Sequence, residues 1–161
     1  MGEQSTTTTS GFKAIFWGGL IAGVLDLTSA FVIWGLRGVG PVRVAQGIAT
    51  GLLGASSFQG GLPTAALGVA CHFLIAYGAA SVYYAPSTRL SVLTRHAIAS
   101  GLAYGVAVYL FMNLVVIPLS ATRARYTASA IVIGLIVHML FVGLPISLAA
   151  RRFSPRLRAS A

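Results

Sequence analysis

Four long apolar runs constrain this chain more than any other feature: about 12–34, 62–84, 96–118 and 128–150. Each is near the ~20 residues an α-helix needs to cross about 30 Å of hydrocarbon. The runs predict an all-α, polytopic membrane protein with four transmembrane helices. Composition agrees. Only 8% of the residues are charged and 57% are hydrophobic, whereas a soluble domain carries roughly 25% charged residues. Such a chain has too little polar surface to cover a water-exposed globule, which excludes an ordinary soluble enzyme and a disordered protein.

The first run has one feature of a secretory signal, since Thr28-Ser29-Ala30 has small residues at a cleavage-like spacing. It exceeds the h-region length of about 7–15 residues and carries Asp26, so it reads as a retained span. Residues 1–11 read as a disordered polar tail and 151–161 as a basic tail. Gly2 and Thr6 fit a loose myristoylation pattern, for which a spanning chain has little use. Between the first two spans, Val42, Ala45, Ile48, Leu52 and Ala55 fall near one helical face, with Arg43, Gln46, Thr50 and Ser57 elsewhere. This predicts an amphipathic helix lying on, or dipping into, the membrane interface. Pro86 and Pro118 are expected to stop the second and third helices, and Pro145 to kink the fourth.

The net charge of +9 would suggest nucleic acid in a soluble protein. Here the cations flank apolar runs, where they set orientation, and no zinc-finger or RNA-binding signature accompanies them. One side collects Lys13, Arg89, Arg95, Arg151, Arg152, Arg156 and Arg158; the other collects Arg37, Arg43, Arg123 and Arg125. Seven cations against four place both termini in the cytoplasm. Arg151, Arg152, Arg156 and Arg158 read as a topological flank that also suits anionic lipid headgroups. The lone cysteine, Cys71, excludes an intramolecular disulfide and reads as a small core residue.

Polar residues inside the spans are the candidates for chemistry. Asp26 is eight residues from Trp34, His72 ten from Leu62 and His138 ten from Ala128. At about 1.5 Å per residue these depths agree within roughly a turn, near the midplane. Asn113 lies just outside this layer. Asp26, His72, His138 and Asn113 therefore form a candidate polar cluster, suited either to moving protons or to interhelical hydrogen bonding. His72 and His138 are also the two residues that could ligate a b-type haem. No hydrolase, metalloprotease, P-loop or dinucleotide motif is present. Gly19 and Gly23 in the first helix, and Gly101 and Gly105 in the third, are spaced for close helix packing.

The segments Gly19-Leu-Ile-Ala-Gly23-Val and His72-Phe-Leu-Ile, with a fourth helix that carries His138 and ends in Arg151-Arg152, resemble the YagU-like small bacterial inner-membrane proteins. The resemblance implies residence in the bacterial cytoplasmic membrane and assigns no site residue or activity. The reading is a non-enzymatic accessory or structural subunit that self-associates or joins a larger membrane complex. Its expected partners are lipids and membrane proteins, with no nucleic acid and no cofactor. The alternatives are a small transporter or proton conductor using Asp26, His72 and His138, and a haem- or quinone-binding electron carrier.

Overall fold

The computed structural model describes residues 2–122 and 127–154, with side chains from Ser10 onward. Among these residues the fold is all helical, and four helices are long and apolar enough to span a membrane: Ser10–Gly35, Gly61–Ser87, Ala97–Leu119 and Ala128–Arg152. Large apolar side chains such as Val32, Leu74, Val82, Phe111, Leu114 and Val132 point outward uncovered. In water that surface would be untenable; against lipid tails it is the expected exterior.

The spans alternate in direction, so the molecule has two ends. The terminal end carries Ser10, Ser87, Ala97 and Arg152, and the far end carries Gly35, Gly61, Leu119 and Ala128. The first span packs on the second and on the His138–Arg152 half of the fourth, and the third packs on the fourth. The buried core therefore lies towards the terminal end, around Ala22, Ala80, Tyr83, Val142, Ile146 and Ala150. Tyrosines close the second span against the third. Tyr104 donates to the Ala79 carbonyl at 2.7 Å, and the Tyr83 hydroxyl bonds Leu93 O and Ser100 Oγ at 3.0 and 2.8 Å.

Small residues set the interhelical distances. A Cβ on Gly23 would lie 2.7 Å from the Phe73 ring, and one on Gly19 would strike Tyr77. A Cβ on Gly143 would strike the Gly101 carbonyl and lie 2.8 Å from Gly105 Cα. Both glycine pairs thus serve contacts within the bundle, where close approach lets backbones gain dispersion energy that lipid cannot supply.

Several expectations need correction. The first helix runs from Gly2 to Gly35, so the expected disordered tail continues the helix. Once a helix is nucleated, each added residue gains a hydrogen bond at modest entropic cost. Pro86 and Pro118 do not end their helices at once; each helix runs one residue further, to Ser87 and Leu119. Pro145 produces a π-helical turn upstream, His138–Gly143, and Pro118 has its counterpart at Met112–Val116. Each proline lacks an N–H and crowds the carbonyl four residues back, Phe141 or Leu114; both carbonyls lie inside the π turns, whose wider spacing relieves the clash.

The segment between the first two spans is a helix, Pro41–Leu53, followed by a 3-10 turn, Gly54–Gln59. Its docked face differs from the expected one: Val44, Ala45, Gln46 and Ala49 are buried, while Val42 and Leu52 are exposed. The small face fits the second span, where Gly68 meets the Ala45 carbonyl and Ala49. The larger apolar residues are thereby left for lipid. Gln46 Nε2 donates to the Gly61 carbonyl at 2.9 Å and to Thr64 Oγ1 at 3.3 Å, which explains a buried amide on that face. Gly61 has φ +62°, a left-handed turn that starts the second span and suits glycine. Thr50 and Thr122 hydroxyls meet at 2.6 Å, and Ala121 N bonds Gly51 O, tying this helix to the end of the third span.

Candidate functional site: an intramembrane Asp–His pair

Asp26 and His72 meet across the first and second spans. His72 Nδ1 lies 4.0 Å from Asp26 Oδ2, and the side chains are 14% and 23% exposed for His72 and Asp26 respectively. Small neighbours permit this approach. Ala22 beneath Asp26 is fully buried, and Ala76 beneath His72 would lie 3.4 Å from a Cβ on Gly23. The helices are therefore in near contact where the two polar side chains meet.

The Gly23 carbonyl fixes which ring nitrogen of His72 donates. His72 Nε2 lies 2.9 Å from Gly23 O, and a carbonyl only accepts, so Nε2 carries the proton. In neutral imidazole Nδ1 is then a lone-pair acceptor turned to Asp26. At 4.0 Å the Nδ1–Oδ2 approach is longer than a hydrogen bond and is a polar contact between the two spans. Among the described residues the Asp26 carboxylate has this ion pair and no hydrogen bond; its own backbone carbonyl accepts from Ser29 Oγ at 2.7 Å.

The other members of the expected cluster are engaged elsewhere. His138 Nδ1 bonds the Gly134 carbonyl at 2.9 Å, and its ring stands edge-on to Tyr109 with centroids 5.2 Å apart. Asn113 Nδ2 donates to the Tyr109 carbonyl at 2.8 Å. Both donate to the carbonyl four residues earlier at the start of a π turn. A π turn uses bonds to the fifth residue back, as in Ile117 N to Met112 O and Leu144 N to Met139 O. Gly134 O also accepts from His138 N and Tyr109 O from Met112 N, so the two side-chain bonds are additional ones on these carbonyls. In a regular helix His138 would stand one turn below Val142, on the face that meets the core with Ala22. The wider π turn rotates it towards Tyr109. Sequence depth placed His138 in the layer and Asn113 just outside it; the π turns, signalled only by Pro118 and Pro145, decide which way they face.

The haem reading meets a geometric test. His72 Nε2 is held by Gly23 O and His138 is seated on Tyr109, so joint axial ligation would require both rings to leave these contacts. No group of three or more His, Cys, Asp or Glu suited to a metal ion occurs among the described residues. Arg151 and Arg152 end the fourth span in exposed positions, whereas Arg156 and Arg158 lie outside the described residues.

Compared with known proteins, the chain matches no family model, no curated protein and no solved structure.

Proposed function

We propose that this chain is a non-enzymatic structural or accessory component of the bacterial cytoplasmic membrane, with both termini inside. The YagU-like resemblance agrees with this placement. One observation carries the reading: His138 and Asn113, which would extend the Asp26–His72 pair into a relay, both return their hydrogen bonds to their own helices. The Asp26–His72 pair then serves as an interhelical polar contact. Polar contacts of this kind contribute roughly 0.6–2 kcal/mol in membranes. A proton-conducting reading is the second one, favoured by the approach of His72 Nδ1 to the partly exposed Asp26 carboxylate.

Reconstitution separates the two. Proteoliposomes holding wild type and Asp26→Asn are given a pH gradient, and its decay is followed with an internal dye. The expected result is decay at the protein-free rate for both. Faster decay with wild type that vanishes in a correctly folded Asp26→Asn protein would overturn the structural reading and establish conduction. A visible absorption spectrum of protein purified from native membranes tests the electron-carrier alternative, and the expected spectrum lacks a Soret band.

A further inference from the structure

The terminal end gathers cations from three separate elements. Lys13 lies in the first turn of the first span, Arg95 ends the short helix Ser91–Arg95, and Arg151 and Arg152 end the fourth span; all four are exposed. Packing brings these elements together: the first span and the Ser91–Arg95 helix both rest on Leu144–Arg152. Each element buries a small side chain at this end, Ala14, Thr94 and Ala150 respectively. The fold thus brings to one end of the bundle elements whose charges are more than fifty residues apart in sequence, at positions 13, 95 and 151.

Nothing acidic among the described side chains balances them. The chain has two acids; Asp26 is paired with His72 in mid-span, and Glu3 precedes the described side chains. Arg152 lies over the Phe153 ring at 5.9 Å, an orienting contact that leaves its charge uncompensated. Like charges at the edge of a low-dielectric slab are poorly screened and favour an anion at the same depth. The surroundings identify that depth. Exposed Phe12, Phe16 and Trp17 flank Lys13 on the first span, and aromatic rings of this kind occupy the headgroup level. Long basic side chains there keep their stems in the apolar layer and lift the charge to the interface. An open groove of about 640 Å³, lined by Ala85, Pro86, Thr88, Arg89 and Leu90, lies at the same end.

We propose that Lys13, Arg95, Arg151 and Arg152 form one composite site for the phosphate headgroup of an anionic phospholipid in the leaflet at the terminal end. Arg95 and Lys13 distinguish this site from a C-terminal topological flank, which needs neither. The site is independent of what Asp26 and His72 do.

The test uses the full chain in nanodiscs of phosphatidylcholine alone or doped with cardiolipin, read by thermal unfolding and by native mass spectrometry of retained lipid. Wild type is expected to hold cardiolipin through detergent exchange and to unfold several degrees higher in the doped discs. Arg95→Gln should lose at least half of that shift, as should the Arg151→Gln/Arg152→Gln pair. Arg37→Gln, at the far end, should keep it. Lys13→Gln provides a second probe of the composite site if Arg95→Gln does not fold. The proposal fails if unfolding is the same in both compositions. It also fails if the C-terminal pair abolishes the shift while the foldable one of Arg95→Gln and Lys13→Gln leaves it intact. Inorganic phosphate that reproduces the shift in undoped discs would overturn the lipid assignment.

Discussion

At the scale of single residues, the Gly23 carbonyl shapes the polar layer most. It accepts a hydrogen bond from His72 Nε2, and that one bond sets which ring nitrogen Asp26 meets. Nitrogen-15 spectra of ring-labelled protein should show His72 with Nε2 protonated and His138 with Nδ1 protonated, because Gly134 O plays the same part for the latter. Finding the proton on Nδ1 and not on Nε2 of His72 would break the hydrogen bond assigned to Gly23. Asp26→Asn keeps the shape and supplies an amide donor for Nδ1, so it should assemble as wild type, with a stability change under about 1 kcal/mol, in the range of one interhelical polar contact. Asp26→Leu tests the same point from the opposite side. It leaves Nδ1 without a polar partner and should destabilise by about 1–2 kcal/mol, measured by unfolding in mixed micelles. Depth along each helix was legible in sequence, since it needs only a residue count from the span ends. Facing was not legible for His138, because its direction depends on a π turn whose sole sequence sign is Pro145.

At the scale of elements, the glycines divide into those that touch another helix and those that do not. A Cβ on Gly143 would strike backbone of the third span, while one on Gly78 meets nothing within 4 Å. Gly143→Val should therefore separate the third and fourth spans and cost at least the ~1–3 kcal/mol of overpacking, since backbone cannot turn aside as a side chain can. Gly78→Ala should be neutral or stabilising by up to about 1 kcal/mol, from helix propensity alone. Equal effects at the two sites would refute the packing described for the third and fourth spans. The sequence made the glycine spacing visible but gave Gly143 no second glycine four residues away, only Ser147, so three-dimensional contact is what reveals it. The helix Pro41–Leu53 shows the same limit. Its amphipathicity was plain, yet the face that docks is the small one, Ala45 and Ala49 with Gln46, because Gly68 offers a shallow seat. Val42 and Leu52, which look like core residues in a helical projection, are left to the lipid.

At the scale of the whole molecule, the four spans were legible because the bilayer sets a length that few other environments demand. Observed spans match the expected ones within a turn at every end, since hydrocarbon thickness, not side-chain fit, determines where each run stops. Orientation is a separate matter, carried by charge. Among the described residues the terminal end holds Lys13, Arg89, Arg95, Arg151 and Arg152, against Arg37 and Arg43 at the far end. A bias of this sign retains the more basic loops in the cytoplasm during insertion. A cytoplasm-dependent reporter fused after Ala161 should be active, and the same reporter fused at Gly40 should be silent. An export-dependent reporter should give the reverse pattern. Matching signals from Gly40 and Ala161 would mean an even number of crossings between them instead of three, and the helix Pro41–Leu53 cannot supply the fourth by lying on the interface. That helix spans about 20 Å at 1.5 Å per residue, short of the hydrocarbon core, and Gln46, Thr50 and Gly51 fasten it to the ends of two neighbouring spans. Neutralising Arg151 and Arg152 together should weaken the orientation without adding a crossing. The Ala161 and Gly40 reporters would then become mixed together while remaining opposite within each molecule.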